Sequence, residues 1–362
     1  MRSHRPDYII LLCLLFLVIF GLLALASASS NLGQAKFNDS FYYLKHQVFT
    51  GLIVGLAGFF LAYNIYYRRY QKFALILLLA SIVLTALVFT PLGLKAGGAE
   101  RWLQIGPITF QPAEFLKLTV IIYFAAWLAG QSERSRSFWK GFFPFFIVLG
   151  AVAGLLLKQP TTTTVVIISV SALVLYFVSG AKLSYVGGVA VIGVLALAVA
   201  VAMTPYRFQR IANFLNPDAS PLGGGYHINQ AQMAIGAGEI FGVGYGQSTT
   251  KISYLPEPIG DSIFAVVAEE LGFVGSVGLV SVFLLLVLRI LLLARSVKDK
   301  FGKLVLVGFG TLISLQVFIN IGAISGLLPL TGVPLPFISY GGTALAVFMT
   351  MGGIVANISK HS

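Results

Sequence analysis

The chain has 362 residues, 57% of them hydrophobic and only 10% charged, with a mean hydropathy of +0.91. A soluble domain carries roughly 25% charged residues, so this composition excludes a water-solvated globule, a fibre, a disordered chain and a secreted disulfide scaffold. The net charge of +12 would suggest nucleic acid in a soluble protein, but in a membrane protein it reports topology.

Residues 9–28 are uncharged and long enough for one helix across roughly 30 Å of hydrocarbon. The basic flank, Arg2 and Arg5, is shared with signal peptides, yet the apolar run exceeds a signal peptide's core and many spans follow. The single cysteine, Cys13, lies inside this run, so neither an internal disulfide nor a cysteine metal cluster can form. Hydropathy then places helices near 47–63, 73–91, 111–130, 141–157, 161–180, 184–204, 262–290, 303–327 and 337–358, ten spans with the first. The last two come from one uncharged stretch, 304–359, divided at Pro329, Pro334 and Pro336 because proline suits a turn better than a helix interior. The expected fold is an all-α polytopic membrane protein, one domain over residues 1–362, with ten transmembrane helices. Its large extracytoplasmic loop, about 205–261, is expected to carry short interfacial helices.

With the N-terminus inside, the cytoplasmic segments hold Arg2, Arg5, Arg68, Arg69, Lys72, Arg134, Arg136, Lys140, Lys182, Arg289, Arg295, Lys298, Lys300, Lys303 and Lys360. These are 15 of the 24 basic residues, against three acids, Asp7, Glu133 and Asp299, and 15 minus 3 equals the whole net charge of +12. That is the pattern of the positive-inside rule, and an even number of spans puts both termini in the cytoplasm. On the outer side, 228–243 is weakly amphipathic and glycine-rich, suited to lie along the interface or re-enter it, and 92–110 is too polar to span. No internal repeat is visible.

Charges inside or beside hydrocarbon need a partner or a role. Glu114 and Lys117 stand three residues apart at the start of the fourth span, spaced for a helical ion pair, either as packing glue or as a buried polar site opening outward. Upstream, Arg101 and Trp102 offer a cation beside a ring, for phosphate or sugar contact or for interfacial anchoring. Asp261, after Pro256, Glu257, Pro258 and Gly260, stands at the outer mouth of the eighth span, where it is suited to cap the helix as well as to do chemistry. Glu269 and Glu270 lie two turns deeper, where at least one needs a cation or a proton. A proline-rich turn leads into Ser339, Tyr340, Gly341 and Gly342, whose glycines allow close approach of helix or ligand. The outer loop adds Arg207, Arg210, Tyr226, His227, Gln230 and Lys251 as anion or sugar contacts. There is no P-loop and no DxD pair, and GVGYG at 242–246 lacks the strand and acid of a dinucleotide turn, which argues against an ATP-driven pump or a cytosolic nucleotide-sugar transferase. His4, His46, His227 and His361 show no metal-binding spacing.

In this order and spacing, RWLQIGPITFQPAEFLK (101–117), YHINQAQMAIGAGEIFGVGYGQ (226–247), YLPEPIGDSIFAVVAEELGFVG (254–275) and LPLTGVPLPFISYGG (328–342) resemble the SEDS (shape, elongation, division and sporulation) proteins. The resemblance runs from about residue 8 to the C-terminus, and GYGQSTTKISYLPEP with FYYLKHQ reads closer to the division branch, FtsW, than to the elongation branch, RodA. It implies a ten-span enzyme of the bacterial cytoplasmic (inner) membrane that polymerises lipid II into β-1,4-linked glycan strands. Implied partners are lipid II, a class B penicillin-binding protein and other divisome membrane proteins, with no nucleic acid.

Carried over by position, the family's essential acid falls on Asp261 and its intramembrane pair on Glu114 and Lys117, while Arg101, Gln111 and Pro112 match the same motif. One departure stands out: the family's QPD at the sixth span reads Gln159, Pro160, Thr161 here, so that acid's role cannot be transferred. The expectation is therefore Asp261 as general base. Arg101, Trp102, Gln111, Glu114, Lys117, Arg210, Tyr226, His227, Gln230, Glu257, Ser339, Tyr340, Gly341 and Gly342 are expected around the substrate. No protein metal site and no tightly bound cofactor is expected, with Mg²⁺ or Mn²⁺ as a companion of the substrate pyrophosphate. The rival readings are a lipid II flippase, a RodA-type elongation polymerase, a scaffold for division proteins and, last, a secondary transporter.

Overall fold

The computed structural model describes residues 5–96, 99–106, 108–130, 134–216 and 224–361. Asp7 caps α1 (Tyr8–Phe37) by accepting from the backbone N–H of Ile9 and Ile10, and Asn38 ends it in the left-handed conformation, φ 53°. The chain returns as α2 (Tyr42–Gln47), widens for one π turn, and continues as α3 (Ile53–Asn64), then α4 (Arg68–Ala86). Strands β1 (Gly93–Ala96), β2 (Ala99–Ile105) and β3 (Ile108–Phe110) form a small antiparallel sheet in that order. The remaining bundle helices are α5 (Pro112–Ala129), α6 (Phe143–Lys158), α7 (Thr162–Val178) and α8 (Leu183–Ala202), followed after a long loop by α12 (Ile263–Ser296), α13 (Lys300–Ile324) and α14 (Gly342–Lys360). The long loop between α8 and α12 carries α9 (Pro205–Leu215), α10 (Gly224–Ala237) and α11 (Thr250–Ser253).

Every expected span thus coincides with an apolar helix. Among the described residues nine helices are long and apolar enough to cross a membrane; the sixth expected span is α7, an apolar helix of 17 residues that falls short of that length. Of the residues assigned to the cytoplasmic side, Arg2 and Glu133 lie outside the described set. The helices α5, α13 and α14 are enclosed, whereas α8 turns almost its whole surface outward. Small residues bring backbones together in the interior: at Gly353 a Cβ would stand 3.0 Å from Phe59 Cα on α3. One end of the bundle is tied by Arg289–Asp7 at 2.7 Å, Arg68–Asp299 at 2.9 Å and the Tyr67 N–H on Asn357 Oδ1 at 2.9 Å. The sheet, the helices α9, α10 and α11, and Asp261 just before the start of α12 occupy the opposite end.

Two features differ from the sequence reading. The polar segment 92–110 is a sheet, because short hairpins satisfy their own backbone groups where the chain is too polar to span. The eighth span is not one continuous helix: α12 breaks at Gly272, φ 66° and ψ −164°, a conformation open essentially to glycine alone. The break is filled by backbone from the long loop between α8 and α12. Val243 N–H donates to Glu269 O and Gly244 N–H to Glu270 O, both at 3.0 Å, while Phe273 N–H reaches Glu239 O at 2.9 Å and Val274 N–H reaches Ile240 O at 3.1 Å. Broken helices persist at this depth only where protein satisfies the freed groups, and here 239–244 does so. A Cβ at Gly242 would collide with Glu270 O and one at Gly238 with Ala268 O, so these two glycines are required by the joint itself, without a nucleotide.

Side chains lock the same joint. Glu269 accepts from Ser248 Oγ at 2.5 Å, from Thr249 N–H at 3.0 Å and from the Thr250 hydroxyl. Glu270 pairs with Lys251 Nζ at 2.6 Å, and Ser27 Oγ on α1 donates to it at 2.6 Å. The cation required beside these acids is therefore Lys251. This corrects its reading as an anion or sugar contact, since its ammonium is buried and committed to Glu270, Ser27 and Gly246 O.

Candidate functional site

The short first segment of α12 points its N-terminal end into a cleft at the end of the bundle that carries α9 and α10. Three consecutive carbonyls in the turn before it are held: Tyr340 N–H donates to Ile259 O at 2.8 Å, Ser339 Oγ to Gly260 O at 2.6 Å, and Asn320 Nδ2 to Asp261 O at 2.9 Å. The expected capping role of Asp261 is not what the structure gives. Ser262 occupies the N-cap position and no side chain caps the helix. Asp261 is left just before it with a buried carboxyl whose Oδ1 has no hydrogen-bond partner among the described residues. Burial is the main force on this group, the neighbouring Glu257 adds to it, and Arg210 with the nearby backbone N–H groups pulls back, leaving the pKa raised to about 6.

Two cavities meet at Arg210. The larger, about 370 Å³, is lined by Asp261, His227, Arg210, Tyr206, Gln209, Asn213, Ile228, Leu330 and Gly332. The smaller, about 210 Å³, is lined by Arg101, Gln111, Glu114, Pro160, the threonines 161–164, Arg207, Arg210 and the turn 329–334, among others. Arg101 reaches it because β2 turns Arg101 and the buried Leu103, two residues apart, to one face, and this leaves Trp102 on the other.

The three guanidiniums are held by main-chain carbonyls rather than by acids. Arg101 donates to Gln159 O and Pro160 O at 3.3 and 3.0 Å, Arg207 to Leu157 O at 2.9 Å, and Arg210 to Leu330 O and Thr331 O at 3.3 Å while it lies 4.6 Å over the Tyr206 ring. Among the described residues none of the three forms an ion pair with a carboxylate, so their charge stays available to an anion. Arg210 and the acid both approach Gly332, φ +68°: a Cβ there would stand 3.8 Å from Asp261 Oδ2 and 3.9 Å from Arg210 Nη2.

The intramembrane pair forms as its spacing suggests, with Lys117 Nζ 2.8 Å from Glu114 Oε2. Glu114 borders the smaller cavity, but Lys117 is 1% exposed, and its ammonium is also taken by Gln316 Oε1 at 2.8 Å and the Phe348 ring at 5.3 Å. Thr161, where the family pattern has an acid, turns its hydroxyl to Leu156 O at 2.9 Å and borders the smaller cavity as a neutral group.

His227 shares a 2.6 Å contact with Ser262 Oγ, which itself donates to Pro256 O, so Nε2 carries the hydrogen. Burial first and Arg210 second lower its pKa, which keeps the ring neutral at pH 7. Glu257 is exposed, and its carbonyl accepts from Gly260 and Ser262 N–H at 3.0 and 3.3 Å. Trp102, Tyr226 and Gln230 are half-buried and do not border either cavity.

The 339–342 run also stays behind the cavity wall. Ser339 and Tyr340 hold the Asp261 turn, Tyr340 OH meets His46 Nδ1 at 2.8 Å, Gly341 N–H donates to Gln47 Oε1 at 3.0 Å, and Gly342 abuts Thr50. The sequence reading passed over Tyr206, Gly332, Gln316 and Asn320. The last two carried a signal, amides inside an uncharged span, but only charges were sought there.

The family model described as a cell cycle protein, covering FtsW, RodA and SpoVE, matches residues 7–362. The chain belongs to the FtsW/RodA/SpoVE family. Among curated relatives of this family, stage V sporulation protein E of Bacillus subtilis (strain 168) is 36% identical over 363 residues, covering 100% of this chain and 99% of its own length. A probable peptidoglycan glycosyltransferase FtsW of Geobacter metallireducens is 38% identical over 359 residues, covering 99% of this chain and 96% of its own. Among solved family structures, a chain of a peptidoglycan synthase complex described as coordinating polymerization and crosslinking superimposes with a TM-score of 0.81 at 29% identity, covering 98% of each chain. The rod shape determining protein RodA of Thermus thermophilus gives 0.73 at 28% identity, covering 99% of this chain and 98% of its own.

Proposed function

We propose that this protein is a peptidoglycan glycosyltransferase that polymerises lipid II into β-1,4-linked glycan strands on the outer face of the bacterial cytoplasmic membrane during cell division. The observation that carries the reading is the Asp261 carboxylate, without an ion-pair partner among the described residues, beside cavities lined by three arginines that none of the described acids pairs with. It joins the activity named for the FtsW relatives.

The sugar 4-hydroxyl of one lipid-linked chain attacks the anomeric carbon of the other, and the Asp261 carboxylate takes the hydroxyl proton through Oδ2, the oxygen beside Gly332 at the cleft, as the new bond forms. The old bond leaves with its electron pair on the pyrophosphate, from the opposite face, so the configuration inverts. Arg210, Arg101 and Arg207 offset the charge that builds on the leaving group. A pKa of about 6 leaves Asp261 ionised at pH 7 yet more basic than an ordinary carboxylate. Glu114 and Lys117 neutralise one another beneath the smaller cavity and brace its floor.

Among the described residues no three histidine, cysteine or acidic groups stand together as metal ligands. Mg²⁺ or Mn²⁺ belongs to this reading as a companion of the substrate pyrophosphate. The proposed topology has ten crossings, α7 included because 17 residues lie at the short end of what spans a bilayer, with both termini cytoplasmic by the positive-inside count. The proposed partners are a class B penicillin-binding protein that cross-links the strands and other divisome membrane proteins.

The test is polymerisation of purified lipid II by the wild type and Asp261→Asn, each reconstituted with the cross-linking partner, with and without Mg²⁺ or Mn²⁺. Product from the wild type alone supports both activity and base. Equal product from both moves the base elsewhere, and lipid transport retained without any polymer supports a flippase instead.

A further inference from the structure

The α13 helix carries a polar seam in its apolar length. Gln316 and Asn320 are four residues apart, hence on one face, and are 0% and 1% exposed. Buried amides cost several kcal/mol when unsatisfied; Gln316 spends both of its polar ends and Asn320 its nitrogen on the site, while Asn320 Oδ1 has no partner among the described residues. Gln316 accepts from Lys117 Nζ at 2.8 Å and donates to Pro334 O at 2.9 Å. Asn320 uses its amide nitrogen twice, on Val333 O at 2.8 Å and on Asp261 O at 2.9 Å. The two amides clamp consecutive carbonyls, 333 and 334, directly after Gly332, the residue that Asp261 and Arg210 both approach. Arg210 is held by carbonyls 330 and 331 of the same turn. One face of one helix therefore touches Lys117, the main chain of Asp261 and the turn that holds Arg210.

We infer that Gln316 and Asn320 are positioning residues that set the separation between the base and the cations of the cleft. The inference rests on the reading of Asp261 as base and Arg210 as leaving-group cation. Asp261 lies in a turn, where no regular ladder fixes its main chain. Its own carbonyl is fixed by Asn320, as the two before it are fixed by Ser339 and Tyr340. An amide is the side chain for this task because one nitrogen donates to two carbonyls at once, which a hydroxyl cannot do. Held this way, Asp261 stays buried and unrelaxed against Arg210. A displacement of about 1 Å at such a group costs on the order of a hundredfold in rate.

Amides between transmembrane helices also serve as plain packing glue, so the test needs a readout that glue does not move. Polymerisation of lipid II by the full chain with its cross-linking partner is followed from pH 5 to 9 for the wild type, Asn320→Leu and Gln316→Met. Asn320→Leu is expected to lose about tenfold or more in kcat with KM within about threefold. Its acid limb is expected to move down toward the ordinary carboxylate range as Asp261 relaxes into water. Gln316→Met, which keeps the Asp261 bond, is expected to lose rate with the acid limb in place. If the leucine variant is not recovered folded, Asn320→Ser, too short to reach both carbonyls, repeats the measurement.

Rate lost by Asn320→Leu with an unmoved acid limb, or wild-type kinetics in both variants, overturns the positioning role. An acid limb that moves equally in Gln316→Met overturns the division of tasks between the two amides. Wild type that makes no polymer while bound to its partner rejects the functional reading on which the inference stands.

Discussion

Asp261→Asn is expected to abolish polymerisation and at the same time to stabilise the fold. In the folded protein burial, with Glu257 second, raises the carboxyl from its ordinary 3.8 to about 6, so the native state prefers the protonated form. Above pH 6 the fold carries a carboxylate that it disfavours, at a cost of about 3 kcal/mol from a shift of about two pH units. Below pH 4 the group is protonated in both states and the cost is gone, so wild-type stability rises as pH falls from 6 to 4. Asparagine has the same shape and no charge at any pH. The variant should therefore exceed the wild type by up to about 3 kcal/mol at pH 8 and match it at pH 4. In thermal unfolding of the detergent-solubilised protein this is a Tm higher by several degrees at pH 8, on the scale of about 2–4 °C per kcal/mol for larger domains. A variant that melts at or below the wild type at pH 8, or an offset that does not shrink on acidification, would refute the reasoning.

Arg210→Gln removes a charge that pulls the Asp261 pKa down, so the acid limb of the pH–rate profile should move above about 6 and KM should rise about tenfold, read in the same polymerisation assay. Lys251→Met strands the Glu270 carboxylate at the broken joint of α12 and should cost about 3–5 kcal/mol, whereas adding Glu270→Leu should restore most of the loss in thermal unfolding. Gly272→Ala forces an L side chain into a glycine-only conformation against the Ile240 and Gly242 main chain, for a loss of about 2 kcal/mol or more. Hydrogen exchange at residues 239–244 should rise in that variant, because those backbone bonds close the break, and unchanged protection there would refute the account of the joint.

The positions of the helices were legible because hydrocarbon imposes a local rule: a run of about 20 apolar residues must become a helix to satisfy its own backbone. That rule works on a window of sequence and needs no knowledge of neighbours. The same window missed the break in α12, since Gly272 in an apolar run looks like any helical glycine until 239–244 supplies the replacement hydrogen bonds. It likewise passed over the sheet at 93–110, whose pairing is a matter of register rather than hydropathy.

The candidate site divides along the same line. Glu114, Lys117 and Asp261 announce themselves in sequence because a charge in or beside hydrocarbon needs a reason, and the i, i+3 spacing of the first two already pairs them. What the groups touch is decided through space. Lys251 looked like a free outer-loop cation and is the buried counterion of Glu270, 19 residues away in sequence. Asp261 looked like a helix cap and is a buried acid with a free oxygen, because Ser262 takes the cap position. Gln316 and Asn320 carry no charge to draw notice, and their task exists only once the turn 330–334 folds back onto α13. Sequence by itself determined where the chain is apolar and where a charge would be costly, since both are sums over adjacent residues. Only the tertiary structure decided which partner meets each charge, since hydrogen bonds and ion pairs act over about 3 Å in space and are indifferent to separation along the chain.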